Sequence, residues 1–426
     1  MAITRLQVRN FKSFRELNAE LGPLTIVVGA NASGKSNFVN IFRFLRDIVT
    51  QGLENAVSLQ GGASYLSNIR LPAGTPVELT LTLNGRPKLL RSMLRSEQGA
   101  RRFVIDETKL DFALEFKRQS GRCRITRDTC VFKGKIAAQE GLGTARPERR
   151  TARSRARPAK VTIANHDGRV DVSWEGPEEE ELPPHIFDPR AFGLRRIDSG
   201  VLLVELPFSG VMFAAHDELR RIAIHDFDPR LAKKATPIEA KAELDEHGGN
   251  LAVALTNVLR HKHRRDRFLR LLGDVLDFVK RIDVQTFADR SLLLRLGESF
   301  YKRRYLPASL ISDGTIHLLA LILALYFERS SLTIIEEPER NVHPSLIAKI
   351  VEMLKDASRE KQIIVTTHSP ELLKHADLES ILFISRGEDG FSTAWRPAEK
   401  KEVAQFLTGD LGVEDLFVQN ILDALR

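Results

Sequence analysis

The stretch LTIVVGANASGKSNF, residues 24–38, limits what this chain can fold into more than any other part of it. Leu24 to Val28 form a short all-apolar run, which suits a strand buried in a parallel sheet. Beyond Ser36, the residues Phe38, Ile41, Phe42, Leu45 and Ile48 or Val49 recur at the three-and-four spacing of an amphipathic helix. Between strand and helix lies Gly29, followed after four residues by Gly34-Lys35-Ser36. The glycines let backbone N–H groups turn inward around β- and γ-phosphates, Lys35 neutralises the terminal phosphates, and the Ser36 hydroxyl is placed to ligate Mg²⁺. The helix adds its positive N-terminal end. Gly29, Asn31, Ser33, Gly34, Lys35, Ser36 and Asn37 are therefore the candidate nucleotide-binding residues. The implied fold class is α/β.

Composition bounds the rest. A chain of 426 residues, 42% hydrophobic, holds a full core and leaves room for two or three domains. No stretch approaches the ~20 uninterrupted apolar residues that span a bilayer. The start, MAITRLQVRNFKSF, carries no apolar signal core. A cytoplasmic protein with no membrane partner is expected. Cys123 and Cys130 are too few for a disulfide scaffold, and no second Cys or His pair stands near them at metal spacing. Two reduced cysteines in or near a strand are expected. The net charge of +8 is modest for this length, so its distribution matters more than its sum.

Along the chain, residues 2–9 alternate as an edge or antiparallel strand, and 77–83, VELTLTL, alternate cleanly. Further strands are expected at 101–106, 111–117, 122–132, 160–164 and 169–174, an antiparallel block. Residues 146–160, RPERRTARSRARPAK, read as an exposed loop that is either solvated, with an acidic counterpart at Glu178–Glu181, or a basic arm for a phosphate backbone. No aromatics interleave its arginines, which disfavours base stacking. Residues 212–282 read as mostly helical, with a basic run RHKHRRDR at 260–267 that is either a solvated helix face or a second DNA contact. His261 and His263 alone make no metal site. Strands are expected at 292–296, at 331–335 as a buried one, at 362–366 and finally at 380–385, with helices at 312–327, 345–357, from 370, at 402–408 and at 414–425.

Three more segments carry chemistry. LTIIEEP ends an apolar strand in Glu336-Glu337, and in parallel sheets ligands sit at that end. There Glu336 would hold the Mg²⁺ shell, and Glu337 would polarise an attacking water. IIVTTHSP puts His368 just past another apolar strand, within reach of a γ-phosphate. LISDGT, residues 310–315, opens an apolar helix, and Ser312 and Gly314 there present a hydroxyl and backbone N–H groups to an anion. The purely structural reading of this segment makes Asp313 the helix cap.

This set resembles the ABC-type ATPase heads of the SMC, RecF and OLD group, and most of all their compact bacterial relatives described as AAA family ATPases. Carried over, Gly29–Ser36 resembles Walker A, Ser312-Asp313-Gly314-Thr315 the signature motif, and Glu336-Glu337 Walker B with its catalytic glutamate. PERNVHP, residues 338–344, resembles the D-loop and His368 the switch histidine, while LQVRNFKSFRE and DEHGGNLAVAL (245–255) also match. Gln51 and Gln60 are both candidates for the Q-loop. The resemblance implies a P-loop NTPase of the ABC-ATPase head type. Residues 1–175 and 283–426 would form the head, a mixed sheet with an antiparallel β subdomain, and 176–282 a mostly helical insertion. It also implies ATP and Mg²⁺ as ligands and a homodimer, or a higher oligomer, that closes head to head. Such relatives serve in DNA repair or in anti-phage defence, in the latter beside a separately encoded nuclease or toxin, so closure would be coupled to DNA sensing or to control of that partner. The stretch after His368 is too short for the Toprim nuclease of OLD proteins, so a nuclease would come from a partner. The alternative is a RecF-like repair ATPase that clamps DNA directly. The spelling SDGT and the long insertion before Ser312 disfavour a transporter motor. The intact Glu337 and His368 disfavour a scaffold that has lost hydrolysis.

Overall fold

The computed structural model describes residues 1–68, 70–72, 74–85, 102–116, 123–137, 157–176, 196–301, 304–403, 412–419 and 421–424. The chain forms two compact units. One comprises residues 1–21, 36–221 and 386–394, the other 22–35, 222–385 and 395–426.

Antiparallel strands dominate the first unit. They are β1 (Ala2–Phe11), β2 (Phe14–Glu20), β4 (Val77–Asn84), β5 (Arg102–Phe116), β6 (Cys123–Ala137), β7 (Arg157–His166) and β8 (Arg169–Glu175), numbered in chain order over both units. Their order is β8-β7-β6-β5-β4-β1-β2. β1 pairs with both β2 and β4, with Leu6 opposite Leu81 and Val8 opposite Leu79, so it is an interior strand and not an edge. In β4, Val77, Leu79, Leu81 and Leu83 are buried while the threonines between them are half-buried, as one packed face dictates. Residues 102–116 make one long strand, β5, where two strands, at 101–106 and 111–117, were expected. A register shift between Ile105 and Glu107 lets the ladder run through the polar residues that read as a turn. Of the arginine-rich segment 146–160, residues 157–160 begin β7. The rest, with Glu178–Glu181, lies outside the described residues, as does most of the helix expected at 402–408. Cys123 and Cys130 are free thiols on β6, and burial pushes Cys123 up to about 12 and Cys130 well above its ordinary value.

The second unit is built on a parallel sheet of β3 (Leu24–Val28), β9 (Ile222–His225), β14 (Leu332–Glu336), β15 (Gln362–Thr367) and β16 (Ile381–Arg386). Their order is β16-β3-β15-β14-β9. Apart from Glu336, Ala223 of β9 and Arg386 of β16, the residues of these strands are buried, which is why their sequences are largely continuous apolar runs. β9 was not expected, because 212–282 was read as mostly helical. Helices do run over Gly210–Arg220, Leu251–Leu259 and Lys262–Val275. Four residues bounded by charged neighbours are too short for periodicity to show as a strand. A smaller antiparallel sheet joins β10 (Thr236–Pro237), β11 (Val279–Thr286), β12 (Ser291–Glu298) and β13 (Leu306–Pro307). Val279 thus belongs to a strand, not a helix face. β17 (Ser392–Trp395) follows β16, which is therefore not the last strand. The helix Asp313–Tyr326 is buried on nearly every side from Thr315 to Leu325, as its all-round apolar sequence requires. No helix among the described residues is long and apolar enough to cross a membrane.

Candidate active site

Register sets the site. β15 lies between β3 and β14, with Thr367 opposite Val28 and Thr366 opposite Glu336. All three strands run the same way, so their C-terminal ends are level, and the segments leaving them carry Gly29–Lys35, Glu337 and His368 to one edge.

Glu337 sits in left-handed backbone, φ 48°, an uncommon state for a residue with a Cβ. Its N–H donates to Thr366 O at 2.9 Å, which ties the turn to β15. Both carboxylate oxygens are engaged. His368 Nδ1 lies 2.8 Å from Oε1, and Arg340 donates to Oε2 from Nε at 3.0 Å and Nη2 at 2.9 Å. Arg340 Nη1 also donates to Asp226 Oδ1 at 2.7 Å. Partial burial raises the Glu337 pKa, but Arg340 and then His368 outweigh it and hold the carboxyl below its ordinary range. Two residues on, Glu339 is pushed upward by burial, although Thr367 Oγ1 donates to its Oε1 at 2.5 Å.

The loop before Lys35 closes tightly. A Cβ on Gly29 would stand 2.1 Å from Ile384 O, so only glycine fits. Ala32 (φ 62°) and Gly34 (φ 119°) curl the backbone, and Ser33 N–H donates to Ala30 O at 3.2 Å. Lys35 Nζ donates to Gly29 O at 2.7 Å and Ala30 O at 2.9 Å. Burial lowers the Lys35 pKa, opposed in turn by Glu337, Glu336 and Glu339, so the ammonium lies within the field of the strand-end acids. Asn31 and Ser36 are exposed, and Asn37 Nδ2 donates to Ser13 Oγ at 2.8 Å.

This donor set fits a magnesium–triphosphate. Lys35 rests on backbone carbonyls that a phosphate can replace as partners. The acids before it repel a bare anion but suit one carrying a divalent cation. Among the described residues no three His, Cys, Asp or Glu side chains converge as a metal cage. Mg²⁺ needs none, since it keeps its waters and takes one or two protein ligands beside phosphate oxygens.

The segment at Ser312 stands otherwise. Ser312, not Asp313, caps the helix: its Oγ accepts from Thr315 N at 3.2 Å and meets Thr315 Oγ1 at 2.8 Å. Asp313 is the first helical residue and pairs with Lys233. A Cβ on Gly314 would come within 2.5 Å of Asn341 O, so this glycine serves a close approach to the 338–344 turn. Gln60 is buried and lines a cavity of about 400 Å³ with Asn37, Ser13 and Lys12, while Gln51 is exposed. Gln60 is thus the Q-loop candidate that shares a cavity with Asn37, a candidate nucleotide-binding residue. In the basic run 260–267, Arg264 lies over the Phe327 ring and Arg267 over Tyr326 and Phe327, which commits two of its charges to packing. Lys262 and His263 stay exposed.

Sequence reading missed Asp226, Arg340 and His317. Arg340 stood inside a quoted motif with no role given to it. Asp226 follows the strand that periodicity did not show. His317 is buried in the helix after Ser312, its Nε2 donates to Pro338 O at 3.0 Å, and burial drops its pKa to about 4, so it stays neutral.

Fold and site together define the class, an α/β P-loop ATPase domain with a strand-end acid cluster. The chain belongs to the family described as "AAA domain, putative AbiEii toxin, Type IV TA system", whose profile matches residues 143–374, more than half of it. A second profile, described as AAA ATPase domain, matches residues 1–59. No curated protein matches. Among solved structures, the fold is similar to an SmcHead bound to the C-winged helix domain of ScpA (TM-score 0.52, 15% identity, 94% of this chain and 99% of that one). Two others are an Smc head with an extended coiled coil from Pyrococcus furiosus (0.49, 13%, 96% and 100%) and an SMC head domain from Thermotoga maritima (0.41, 15%, 93% and 99%). The match to the SmcHead bound to the C-winged helix domain of ScpA shows the head fold.

Proposed function

We propose that this chain hydrolyses ATP as one half of a head-to-head homodimer, and that dimer closure controls a separately encoded nuclease or toxin in cytoplasmic anti-phage defence. The convergence of Lys35, Glu337 and His368 on adjacent parallel strand ends is the observation that carries the reading. Lys35 and the loop N–H groups hold the phosphates. Ser36 and Glu336 would hold Mg²⁺, which would supply charge neutralisation and Lewis-acid polarisation of the phosphates. Glu337 accepts the proton of the water that bonds to the γ-phosphorus as the bond to the ADP oxygen breaks, and His368 steadies Glu337 and the phosphate. Ser312 and Gly314 close over the nucleotide of the second copy. The toxin and toxin–antitoxin wording of the family description favours an effector partner over direct repair. The SmcHead held by a winged-helix domain is an example of a head of this fold with a protein partner. DNA enters this reading through Lys262, His263 and the arginines of 146–160.

Phosphate release by the purified chain with ATP and Mg²⁺ tests it. Glu337→Gln should cut turnover about 10²- to 10³-fold, keep ATP binding and raise the dimer fraction in gel filtration. Unchanged turnover in that variant overturns the assignment of the base. A chain that stays monomeric with ATP overturns the dimer.

A further inference from the structure

Arg340 and Asp226 are not explained by nucleotide binding. Neither lies on the P-loop, yet Arg340 makes two hydrogen bonds to Glu337, at 3.0 and 2.9 Å, and a third, at 2.7 Å, to Asp226. We infer that Arg340 is a positioning residue for Glu337, that Asp226 positions Arg340 in turn, and that Glu337 Oε1 is thereby left as the oxygen that meets the water. The inference rests on the reading of Glu337 as the proton acceptor.

An ionised carboxylate offers about four acceptor positions, two on each oxygen. Arg340 Nε and Nη2 fill both on Oε2, and His368 Nδ1 fills one on Oε1. Among the described residues, the second position on Oε1 is what the carboxylate has left for a water. The arginine thus decides which oxygen works and prevents the carboxyl from rotating. A single-point cation could attract the carboxylate but not orient it.

Packing does not hold Arg340 in place. With Asp226, Asp313 and Asn341 it lines a cavity of about 510 Å³, and its side chain is 39% exposed. The contact to Asp226 Oδ1 fixes the far side of its plane. Asp226 is held in turn, its N–H donating to Glu246 O at 2.8 Å and its carbonyl lying 2.9 Å from His247 Nδ1. Half-exposed ion pairs of this kind add little to stability, so these side chains can be cut back without unfolding the chain. The left-handed backbone at Glu337 gives the fork a purpose: a side chain leaving a strained turn needs an outside partner to hold one direction.

The experiment is steady-state ATP hydrolysis by the full chain, with kcat and KM separated and melting temperatures recorded. Arg340→Ala should lower kcat about tenfold or more and leave KM within about twofold, the mark of lost orientation rather than lost binding. Arg340→Lys, which keeps the charge and loses the fork, should stay near the alanine level. Asp226→Ala should lower kcat by less, about three- to tenfold, and should cost nothing further in the Arg340→Ala background. Wild-type kcat in Arg340→Ala beside an inactive Glu337→Gln overturns the inference and spares the assignment of the base. Full activity in Arg340→Lys, full additivity of the two alanine variants, or a kcat loss that tracks a collapse in melting temperature also overturns it. Wild-type turnover in Glu337→Gln removes the base assignment itself, and the inference with it.

Discussion

In the parallel sheet of the second unit, β3, β14 and β15 end level, so Lys35, Glu337 and His368 arrive at one edge, although Lys35 lies more than three hundred residues before the other two in the chain. In the antiparallel sheet of the first unit, neighbouring strands end at opposite edges, and charges pair across strand faces: Arg127 of β6 with Glu78 of β4 and Asp111 of β5, at 3.0 Å each. Acids in the two places feel opposite forces. Glu337 is held below its ordinary pKa by Arg340 and His368. Asp128 of β6 is raised to about 7 by burial, although Leu203 N–H and Asn165 Nδ2 donate to it. Parallel ends gather charge where a ligand can use it, whereas antiparallel ladders spend charge on register or bury it.

Two glycines test this contrast most severely. Gly29 faces Ile384 O and Gly134 of β6 faces Val104 O, where a Cβ would stand at 2.1 and 2.0 Å. Alanine at either position should cost about 1–3 kcal/mol or more, read as a fall in denaturation midpoint. Gly29→Ala should also abolish binding of a fluorescent ATP analogue, while folded Gly134→Ala should keep it. Loss of binding in both would dissolve the contrast. Asp128→Asn comes next. The native pKa of Asp128 lies above the unfolded value of about 4. The native state therefore binds the proton more tightly, and this stabilisation is full below about pH 4 and lost as pH rises through about 7. Urea midpoints at pH 5 and pH 8 should differ less in Asp128→Asn than in the wild type. Gly314→Ala should matter mainly for chemistry, since displacing Asn341 disturbs the neighbour of Arg340. Hydrolysis should drop severalfold with about 1 kcal/mol lost. Arg127→Ala should be the mildest, under about 1 kcal/mol in the melting curve, because its partners are partly exposed and solvated.

Much of the site was legible because its parts are local. The apolar run into Gly29 and the helix after Ser36 are consecutive residues, and so are the runs ending in Glu336 and Thr367. The 380–385 strand and the helix after Ser312 were legible for the same reason. β9, β11 and the continuity of β5 were not, because four polar-flanked residues, a strand next to a helix, and a bulge through Asp106 and Glu107 leave no clean period.

The sequence by itself determined a P-loop between a buried strand and an amphipathic helix, two adjacent acids at the end of another strand, and a histidine after a third. Short-range spacing and side-chain chemistry are enough for that. Only the tertiary structure decided that Ser312 and not Asp313 caps its helix, that Gln60 and not Gln51 lines a cavity with Asn37, and that Arg340 joins Glu337 to Asp226. The last link spans 114 positions, and it exists because β9 runs beside β14 in the sheet, a pairing set by burial of both strands rather than by any local signal.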